Sequence, residues 1–215
     1  MRDLLPPCVA VRQGNVADFA APIWPEEAPR VARAVAGRRA EFAAGRALAR
    51  EALAEFGVLP CAVPSAVDGA PRWPEGFIGS IAHSGAQVVA AIARQQDLRA
   101  LGIDLEVGIR FKPGMERLVL RPEEIASLPT DATRALASTI LFCAKEAFYK
   151  MQYPLTRARL GFQDARVALV SETEFHLTLL ANTTMFASNH QFTGHYFATP
   201  NSITAALWLI HDHPE

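Results

Sequence analysis

Residues 102–106 read Gly-Ile-Asp-Leu-Glu and lie in an apolar run that predicts a β-strand over 100–106. Side chains alternate between the two faces of a strand, so Asp104 and Glu106 share one face and the intervening apolar residues point to the core. Two carboxylates this close repel each other unless a cation lies between them, and an oxygen-preferring ion such as Mg²⁺ would relieve that repulsion. The alternative is a solvated strand end with two ordinary surface acids.

A second informative stretch, residues 144–150, reads Ala-Lys-Glu-Ala-Phe-Tyr-Lys within a long amphipathic helix predicted over 133–151. Only three of the 21 Lys and Arg residues are lysines, and two of them fall in this stretch. Glu146 and Lys150 are neighbours on the helix surface in the favourable order. They form either a surface salt bridge worth a few tenths of a kcal/mol, or a metal-binding carboxylate beside an ammonium that stabilises phosphate charge.

A helix predicted over 30–57 carries an unusual density of arginine. Residues 30–50 contain six arginines and a single acid, Glu41. Arg39, Arg46 and Arg50 lie to one side of the apolar stripe and form a cationic ridge along the core boundary. A planar guanidinium in such a place suits bidentate contact with phosphate, and a solvated face of extended side chains is the alternative.

Residues 71–85 read Pro-Arg-Trp-Pro-Glu-Gly-Phe-Ile-Gly-Ser-Ile-Ala-His-Ser-Gly and predict turns and a loop that precede a strand over 88–93. Ser80 and His83 offer hydrogen bonds from this loop, and His83 could donate one to a phosphate oxygen. A lone histidine is more often structural. The glycines match neither the Walker nor the dinucleotide-binding fingerprint.

The remaining pattern bounds the class of protein. The chain has 215 residues, 50% of them hydrophobic, and a net charge of −1, which excludes intrinsic disorder and a strongly basic nucleic-acid coat protein. Nothing in the sequence predicts a membrane span, and the three scattered cysteines favour a reducing cytoplasm. Further strands are predicted over 8–12, 100–106, 164–170, 175–180 and 203–210, with a short helix over 122–128. The predicted fold class is therefore α+β.

Taken in their order along the chain, these stretches resemble the 4′-phosphopantetheinyl transferases, specifically the monomeric, two-lobed kind that serves siderophore, polyketide and fatty-acid synthases. The resemblance covers about residues 30–165, and the Asp-x-Glu strand followed by Lys-Glu-x-x-x-Lys is its most specific part. The matching blocks begin at Arg39, Pro71, Gly102 and Ala144, and a weaker fifth block runs from Tyr153 to Phe162.

The resemblance implies a fold of two pseudo-symmetric α+β lobes, residues 1–107 and 108–215, with coenzyme A and the active site between them. It implies that Mg²⁺ is held by Asp104, Glu106 and Glu146. It implies catalytic roles for Glu146, as the base for a serine hydroxyl, and for Lys150. The residues that it implies for coenzyme A binding are Arg39, Arg46, Arg72, Ser80, His83 and Lys150.

The expected reaction moves 4′-phosphopantetheine from coenzyme A to a serine of an apo acyl or peptidyl carrier protein and releases 3′,5′-ADP. We expect a cytoplasmic monomer without nucleic-acid partners, because a net charge of −1 disfavours binding to a phosphate backbone. Ala70 and Ala82 depart from the family pattern, so a non-catalytic coenzyme A-binding module is the alternative. The predicted carrier surface comprises Arg110, Phe111, Lys112 and Met115.

Overall fold

The computed structural model describes residues 4–19, 22–108 and 115–211. These residues divide into two compact units, one made mainly of Pro6–Leu101 and the other mainly of Gly102–Trp208, here called the N-terminal and the C-terminal unit. Both units contain a helix packed on an antiparallel sheet, which confirms the predicted α+β class. The helices are α1 (Ala36–Ala54), α2 (Glu116–Val119), α3 (Pro122–Ser127) and α4 (Arg134–Thr156), and the strands are β1 (Ala10–Asn15), β2 (Phe77–Ser84), β3 (Gln87–Arg94), β4 (Ala100–Val107), β5 (Ala165–Leu169), β6 (Glu174–Leu179), β7 (Gln191–Ala198) and β8 (Ser202–Leu209).

The N-terminal unit is built on a three-stranded sheet in the order β1-β3-β2. The central strand β3 is apolar and buried from Val88 to Ala93, as expected of a strand covered on both faces. Helix α1 packs against this sheet through Ala44, Leu48 and Ala49, which are all buried. The small alanines on this face let the helix lie close to the strands.

Strand β2 corrects the prediction of a loop around Ser80 and His83. The segment from Phe77 to Ser84 pairs antiparallel with β3, with His83 opposite Val88. Its glycines and polar residues obscure the strand signal in the sequence, since isolated glycines are typical of turns as well as of strands approached closely by other groups. At Gly79 an added Cβ would lie 2.7 Å from the carbonyl oxygen of Ala91, so this glycine is required by the pairing itself.

The C-terminal unit is built on a five-stranded sheet in the order β4-β8-β7-β6-β5. Helix α4 covers one face, and Phe148 of the helix packs on Phe192 of β7 with ring centroids 5.0 Å apart. Strand β7 was not predicted. Its sequence, Gln-Phe-Thr-Gly-His-Tyr-Phe-Ala, contains a glycine and several polar residues, which resemble a turn. The predicted strands on either side of it, β6 and β8, begin and end within a few residues of the expected positions.

Helix α4 extends to Thr156, beyond the predicted end at residue 151, and includes Pro154. A proline lacks only one backbone N–H and its ring disturbs only the preceding turn, so a final turn can accommodate it. The last helical residue is Thr156, and Arg157 caps the helix. Arg157 adopts a left-handed conformation (φ 57°) and donates its backbone N–H to the carbonyl of Tyr153 at 2.9 Å.

Candidate functional site

The site in the C-terminal unit begins with the close approach of β4 to α4 at Gly102. A Cβ added at Gly102 would lie 2.1 Å from the carbonyl oxygen of Ala147 and 2.6 Å from the backbone nitrogen of Met151. The two backbones therefore touch, and no residue other than glycine fits there. Because residues at every second position of a strand share a face, the side chains of Asp104 and Glu106 lie on the same face as this contact.

Both carboxylates on this face are buried rather than solvated. Asp104 is 6% and Glu106 is 7% exposed, while Ile103 and Leu105 fill the opposite face of the strand. Unpaired carboxylates at such depth are costly, and buried acids are found paired or bound to metal ions. The burial removes the alternative of an ordinary solvated strand end.

Asp104 accepts a hydrogen bond on Oδ1 from the ammonium of Lys150 on α4, at 2.6 Å. Burial alone would lower the pKa of Lys150, but the charge of Asp104, its hydrogen bond and the charge of Glu146 raise that pKa above its ordinary value. The other oxygen, Oδ2, is buried and makes no hydrogen bond with the described residues. Asp104 therefore presents one neutralised oxygen and one available oxygen.

Cys143 and Glu146 complete the surroundings of Lys150. The thiol of Cys143 is fully buried, and burial together with the charge of Asp104 raises its pKa well above the ordinary value, so it stays protonated. Glu146 is partly exposed, one helical turn before Lys150. Of the two alternatives for Glu146 and Lys150, the isolated surface salt bridge does not describe the structure, because Lys150 also bonds to Asp104.

The fit of a metal ion to this cluster can be judged from its donors. Carboxylate oxygens are the ligands that Mg²⁺ prefers, and Asp104 Oδ2 is a buried acceptor without a hydrogen bond from the described residues. As they stand, no three His, Cys, Asp or Glu side chains of the described residues form a group that could hold a metal ion. The chemistry of Asp104 and Glu106 suits such an ion, and Lys150 supplies the positive charge at Asp104.

A cavity of about 250 Å³ lies beside Glu146. One wall is the face of α4 that carries Lys145, Glu146 and Tyr149, and the other is the segment Leu160–Phe162 with Ala165. Most of these side chains are apolar or aromatic, which is typical of sites that bind the uncharged part of a small molecule. Sequence reasoning did not predict this cavity, because its second wall comes from a segment after α4.

In the N-terminal unit, Arg46 on α1 is the buried cation. It is 5% exposed, donates from Nη2 to Ser65 Oγ at 3.0 Å, and lies over the ring of Phe42 at 4.4 Å. Burial lowers its pKa to about 10, with Glu27 acting in the opposite direction and Arg50, Arg38 and Arg30 adding to the lowering. Its Nε is buried and makes no hydrogen bond with the described residues, so Arg46 retains a donor for an anion.

Arg38 is a functional candidate that the sequence analysis missed. Its guanidinium contacts His83 Nε2 and lies 3.1 Å from Glu41 Oε2, while His83 Nδ1 lies 3.5 Å from the same oxygen. Helical angles favoured Arg39, which instead turns back to donate to the carbonyl of Val31 at 3.0 Å. In the sequence, the spacing of Arg38 and Glu41 was the only sign of this cluster. The contact with His83 could not be predicted, because the pattern of the helix does not show where β2 lies.

The other predicted phosphate ligands of this unit lie elsewhere. Arg72 is exposed, and its backbone N–H donates to the carbonyl of Pro64 at 2.8 Å. Ser80 is buried on the face of β2 opposite to that of His83, because three positions separate them along the strand. Arg50 pairs with the buried Glu27 at 2.7 Å and lies over the ring of Trp24.

The departure at Ala82 also acquires a structural meaning. Ala82 is buried on the same face of β2 as Ser80, so a hydroxyl at this position would point away from His83.

Of the predicted carrier surface, Arg110, Phe111 and Lys112 lie outside the described residues, whereas Met115 is 41% exposed.

The part of the chain that the structure describes contains no helix that could serve as a membrane span.

Two family models match the chain. The 4′-phosphopantetheinyl transferase N-terminal domain matches residues 26–93, and the 4′-phosphopantetheinyl transferase superfamily matches residues 100–204.

Curated relatives carry the same description. The chain is 41% identical over 150 residues to 4′-phosphopantetheinyl transferase PptT of Mycobacterium tuberculosis, a match that covers 69% of this chain and 66% of the relative. It is 38% identical to the transferase Npt of Nocardia iowensis, covering 69% and 67%. It is 32% identical to enterobactin synthase component D of Salmonella typhi, covering 87% and 79%. The chain thus spans about two thirds of the length of the first two relatives, and it belongs to the 4′-phosphopantetheinyl transferase superfamily.

Proposed function

We propose that this chain transfers the 4′-phosphopantetheine group of coenzyme A to a serine of an apo acyl or peptidyl carrier protein, with Mg²⁺ as cofactor. The observation that carries the proposal is the pair of buried carboxylates on β4, Asp104 and Glu106, of which Asp104 is bonded to Lys150 of α4. A structural ion pair would not require a second buried acid on the same strand face. The names of the relatives support the same group transfer.

The proposed reaction breaks the phosphoanhydride bond of the coenzyme A diphosphate and forms a phosphoester bond to the serine. The serine oxygen bonds to the β-phosphorus that carries pantetheine, the bond from that phosphorus to the bridging oxygen breaks, and 3′,5′-ADP leaves with the electron pair. Glu146, partly exposed beside the cavity, accepts the serine proton. Lys150 stabilises the charge that develops on the leaving phosphate, since such transfers depend mainly on positioning and electrostatics.

Asp104 and Glu106, with Glu146 as the third ligand that the resemblance implies, would hold the Mg²⁺, although the described residues do not bring three such side chains together as they stand. When bound, the ion supplies positive charge that neutralises the diphosphate oxygens. The available Oδ2 of Asp104 is suited to this role, because its other oxygen already accepts the hydrogen bond of Lys150.

The phosphates of coenzyme A would be recognised in the N-terminal unit by Arg46, Arg38 and His83. A buried guanidinium with a spare Nε–H forms strong, charge-assisted hydrogen bonds with a phosphate. Arg38 and His83 already contact each other and share Glu41, so a phosphate would replace the carboxylate as their partner. Arg39, Arg72, Ser80 and Lys150 remain predicted contacts of coenzyme A.

The pantetheine arm would occupy the cavity beside Glu146. The arm is uncharged and carries two amides, which suits a mostly apolar lining with the hydroxyl of Tyr149 at one side. Placing the arm there would bring its phosphate end towards Glu146, the proposed base. The cavity and the base would then serve the same substrate.

The test is to incubate the protein with coenzyme A, Mg²⁺ and a panel of apo carrier proteins, and to measure the carrier mass. We expect the mass gain of one phosphopantetheine group. Glu146→Gln and Asp104→Asn should abolish the gain, whereas Glu172→Gln, an exposed acid in the same unit, should not change it. Binding of coenzyme A without mass gain on any carrier would favour the non-catalytic module instead.

A further inference from the structure

Lys145 belongs to the same motif as Glu146 and Lys150, but the structure gives it a different setting. It is 3% exposed, and its ammonium donates to Glu124 Oε2 at 2.7 Å, to the carbonyl of Phe162 at 2.9 Å and to the carbonyl of Val119 at 3.1 Å. An ammonium has three hydrogens, so these three acceptors use its full capacity. Lys145 therefore has no hydrogen left to bind a substrate.

Glu124, the partner of Lys145, accepts hydrogen bonds on both of its carboxylate oxygens. It is 2% exposed, and its Oε2 also accepts the backbone N–H of Arg121 at 2.6 Å. Its Oε1 accepts the backbone N–H of Val167 at 2.6 Å. The pair thus joins α4 to the start of α3 and to β5, the elements that precede and follow it along the chain.

One of these bonds concerns the cavity beside Glu146 directly. The segment Leu160–Phe162 forms its second wall, and the bond from Lys145 to the carbonyl of Phe162 fixes this segment to α4. The ring of Phe162 also packs on Phe142 of α4, with centroids 5.6 Å apart. The separation of the two cavity walls is therefore set by Lys145 and by this ring contact.

We propose that Lys145 and Glu124 are positioning residues, which hold the Leu160–Phe162 wall at the distance from α4 that the pantetheine arm requires. This inference rests on the proposed function, because it takes the arm as the occupant of the cavity. Lys145 acts through the wall and not on the phosphate, which separates its role from that of Lys150. Loss of the pair widens or collapses the cavity and weakens only ligands that enter it.

The test compares two ligands that differ in the arm. Coenzyme A carries pantetheine, whereas 3′,5′-ADP lacks it and would bind through its phosphates alone. The variant is Lys145→Met combined with Glu124→Gln, which removes both charges together and so avoids an unpaired buried charge. Calorimetric titration measures both affinities, and thermal unfolding confirms that the variant is folded.

We expect the affinity of the double variant for coenzyme A to fall by at least about tenfold, while its affinity for 3′,5′-ADP stays within about twofold of wild type. The matched control is Glu116→Gln with Arg134→Met, a second ion pair of the same unit that contributes no residue to the cavity. It should lower stability without changing the ratio of the two affinities.

A fall of both affinities by the same factor, or of neither, would overturn the positioning role. If the wild-type chain transfers phosphopantetheine, that result leaves the proposed function intact. If the wild-type chain transfers nothing to any carrier, the proposed function fails first and the positioning role fails with it. The two failures are therefore distinguished by the wild-type assay.

Discussion

The two oxygens of the Asp104 carboxylate lie in different surroundings. Its Oδ1 is neutralised by Lys150, and its Oδ2 is buried without a hydrogen bond from the described residues. The pairing compensates the cost of burying the acid, and the second oxygen remains able to bind an ion. At this scale the sequence could not predict the contact between Asp104 and Lys150, because the two residues are separated by 46 positions.

Lys150→Met should therefore weaken both stability and transfer. Removing the ammonium leaves a buried carboxylate without a partner, and we expect the free energy of unfolding to fall by about 2 kcal/mol after allowance for partial exposure of Lys150. Urea unfolding measures this change. Transfer should fall by about 10²-fold or more, because a charge beside the leaving phosphate is lost.

A second substitution separates these two effects. Asp104→Leu in the Lys150→Met background removes the unpaired charge, so the unfolding free energy should return to within about 1 kcal/mol of wild type, while transfer stays absent. Recovery of both stability and transfer would show that neither Lys150 nor Asp104 takes part in the reaction.

Arg38 allows a residue-scale test of phosphate recognition. Arg38→Gln should lower the affinity for 3′,5′-ADP by about tenfold and make it less dependent on salt, because one charge-assisted contact is removed. Arg33→Gln, an exposed arginine of the segment before α1, is the matched control and should leave the affinity unchanged. Isothermal titration at two salt concentrations measures both, and equal losses in the two variants would point to general charge attraction.

At the scale of elements, β4 and α4 position the acidic cluster by direct backbone contact at Gly102. Gly102→Ala should lower the free energy of unfolding by about 2–3 kcal/mol, because its Cβ would overlap the backbone of Ala147 and Met151. Thermal unfolding measures the loss. Gly37→Ala, at the start of α1 with open space around it, is the control and should be neutral or slightly stabilising.

Glu116 joins α2 to α4 and makes their docking dependent on pH. Arg134 donates to both of its carboxylate oxygens, at 3.0 and 3.1 Å, and Ser138 donates to one of them. The hydrogen bonds from Arg134 lower the pKa of Glu116, with burial acting against them and Ser138 adding to the lowering. A lowered pKa in the folded state means that the contribution to stability is present above the ordinary pKa of 4.5 and is lost as the pH falls through the lowered value.

Glu116→Gln should accordingly be less stable than wild type by about 1 kcal/mol at pH 7, and the difference should shrink as the pH falls below about 4.5. Urea unfolding at a series of pH values measures it. Glu51→Gln, an exposed acid on α1, serves as the control for removing a carboxylate. A difference that grows at low pH would contradict the assigned direction.

The elements that the sequence predicted well are those with a single strong pattern. Strand β4 and helix α4 carry long apolar stripes, and their bounds lie close to those expected, apart from the last turn of α4. Strands β2 and β7 were missed, because glycine and polar residues within them resemble turns until a partner strand is known. Pairing is a tertiary contact, so no local pattern could identify Gly79 or Gly194 as residues of a sheet.

For the molecule as a whole, two of the four buried acids among the described residues are neutralised by lysines of α4. Asp104 pairs with Lys150 and Glu124 pairs with Lys145, while buried Glu27 pairs with Arg50. Folding of the C-terminal unit should therefore not depend on a bound ion. The net charge of −1 leaves little general repulsion to be screened.

Removal of divalent ions with a chelator should then abolish transfer while changing the melting temperature of the ligand-free protein by less than about 2 °C. Addition of Mg²⁺ together with coenzyme A should raise the melting temperature, since both bind only the folded state. Differential scanning calorimetry measures these shifts. Unfolding on chelation alone would show that the ion, and not Lys150, compensates Asp104.

The bare peptide contact at Gly102 has a consequence for protein engineering. Main-chain atoms set the distance between β4 and α4. The position of the face that carries Asp104 and Glu106 should therefore depend little on the residues that pack against Ile103 and Leu105. Replacements among aliphatic residues on that rear surface should alter the tolerance to heat without altering catalytic geometry. A stabilised version for labelling carrier domains is therefore best sought there, with position 102 held invariant.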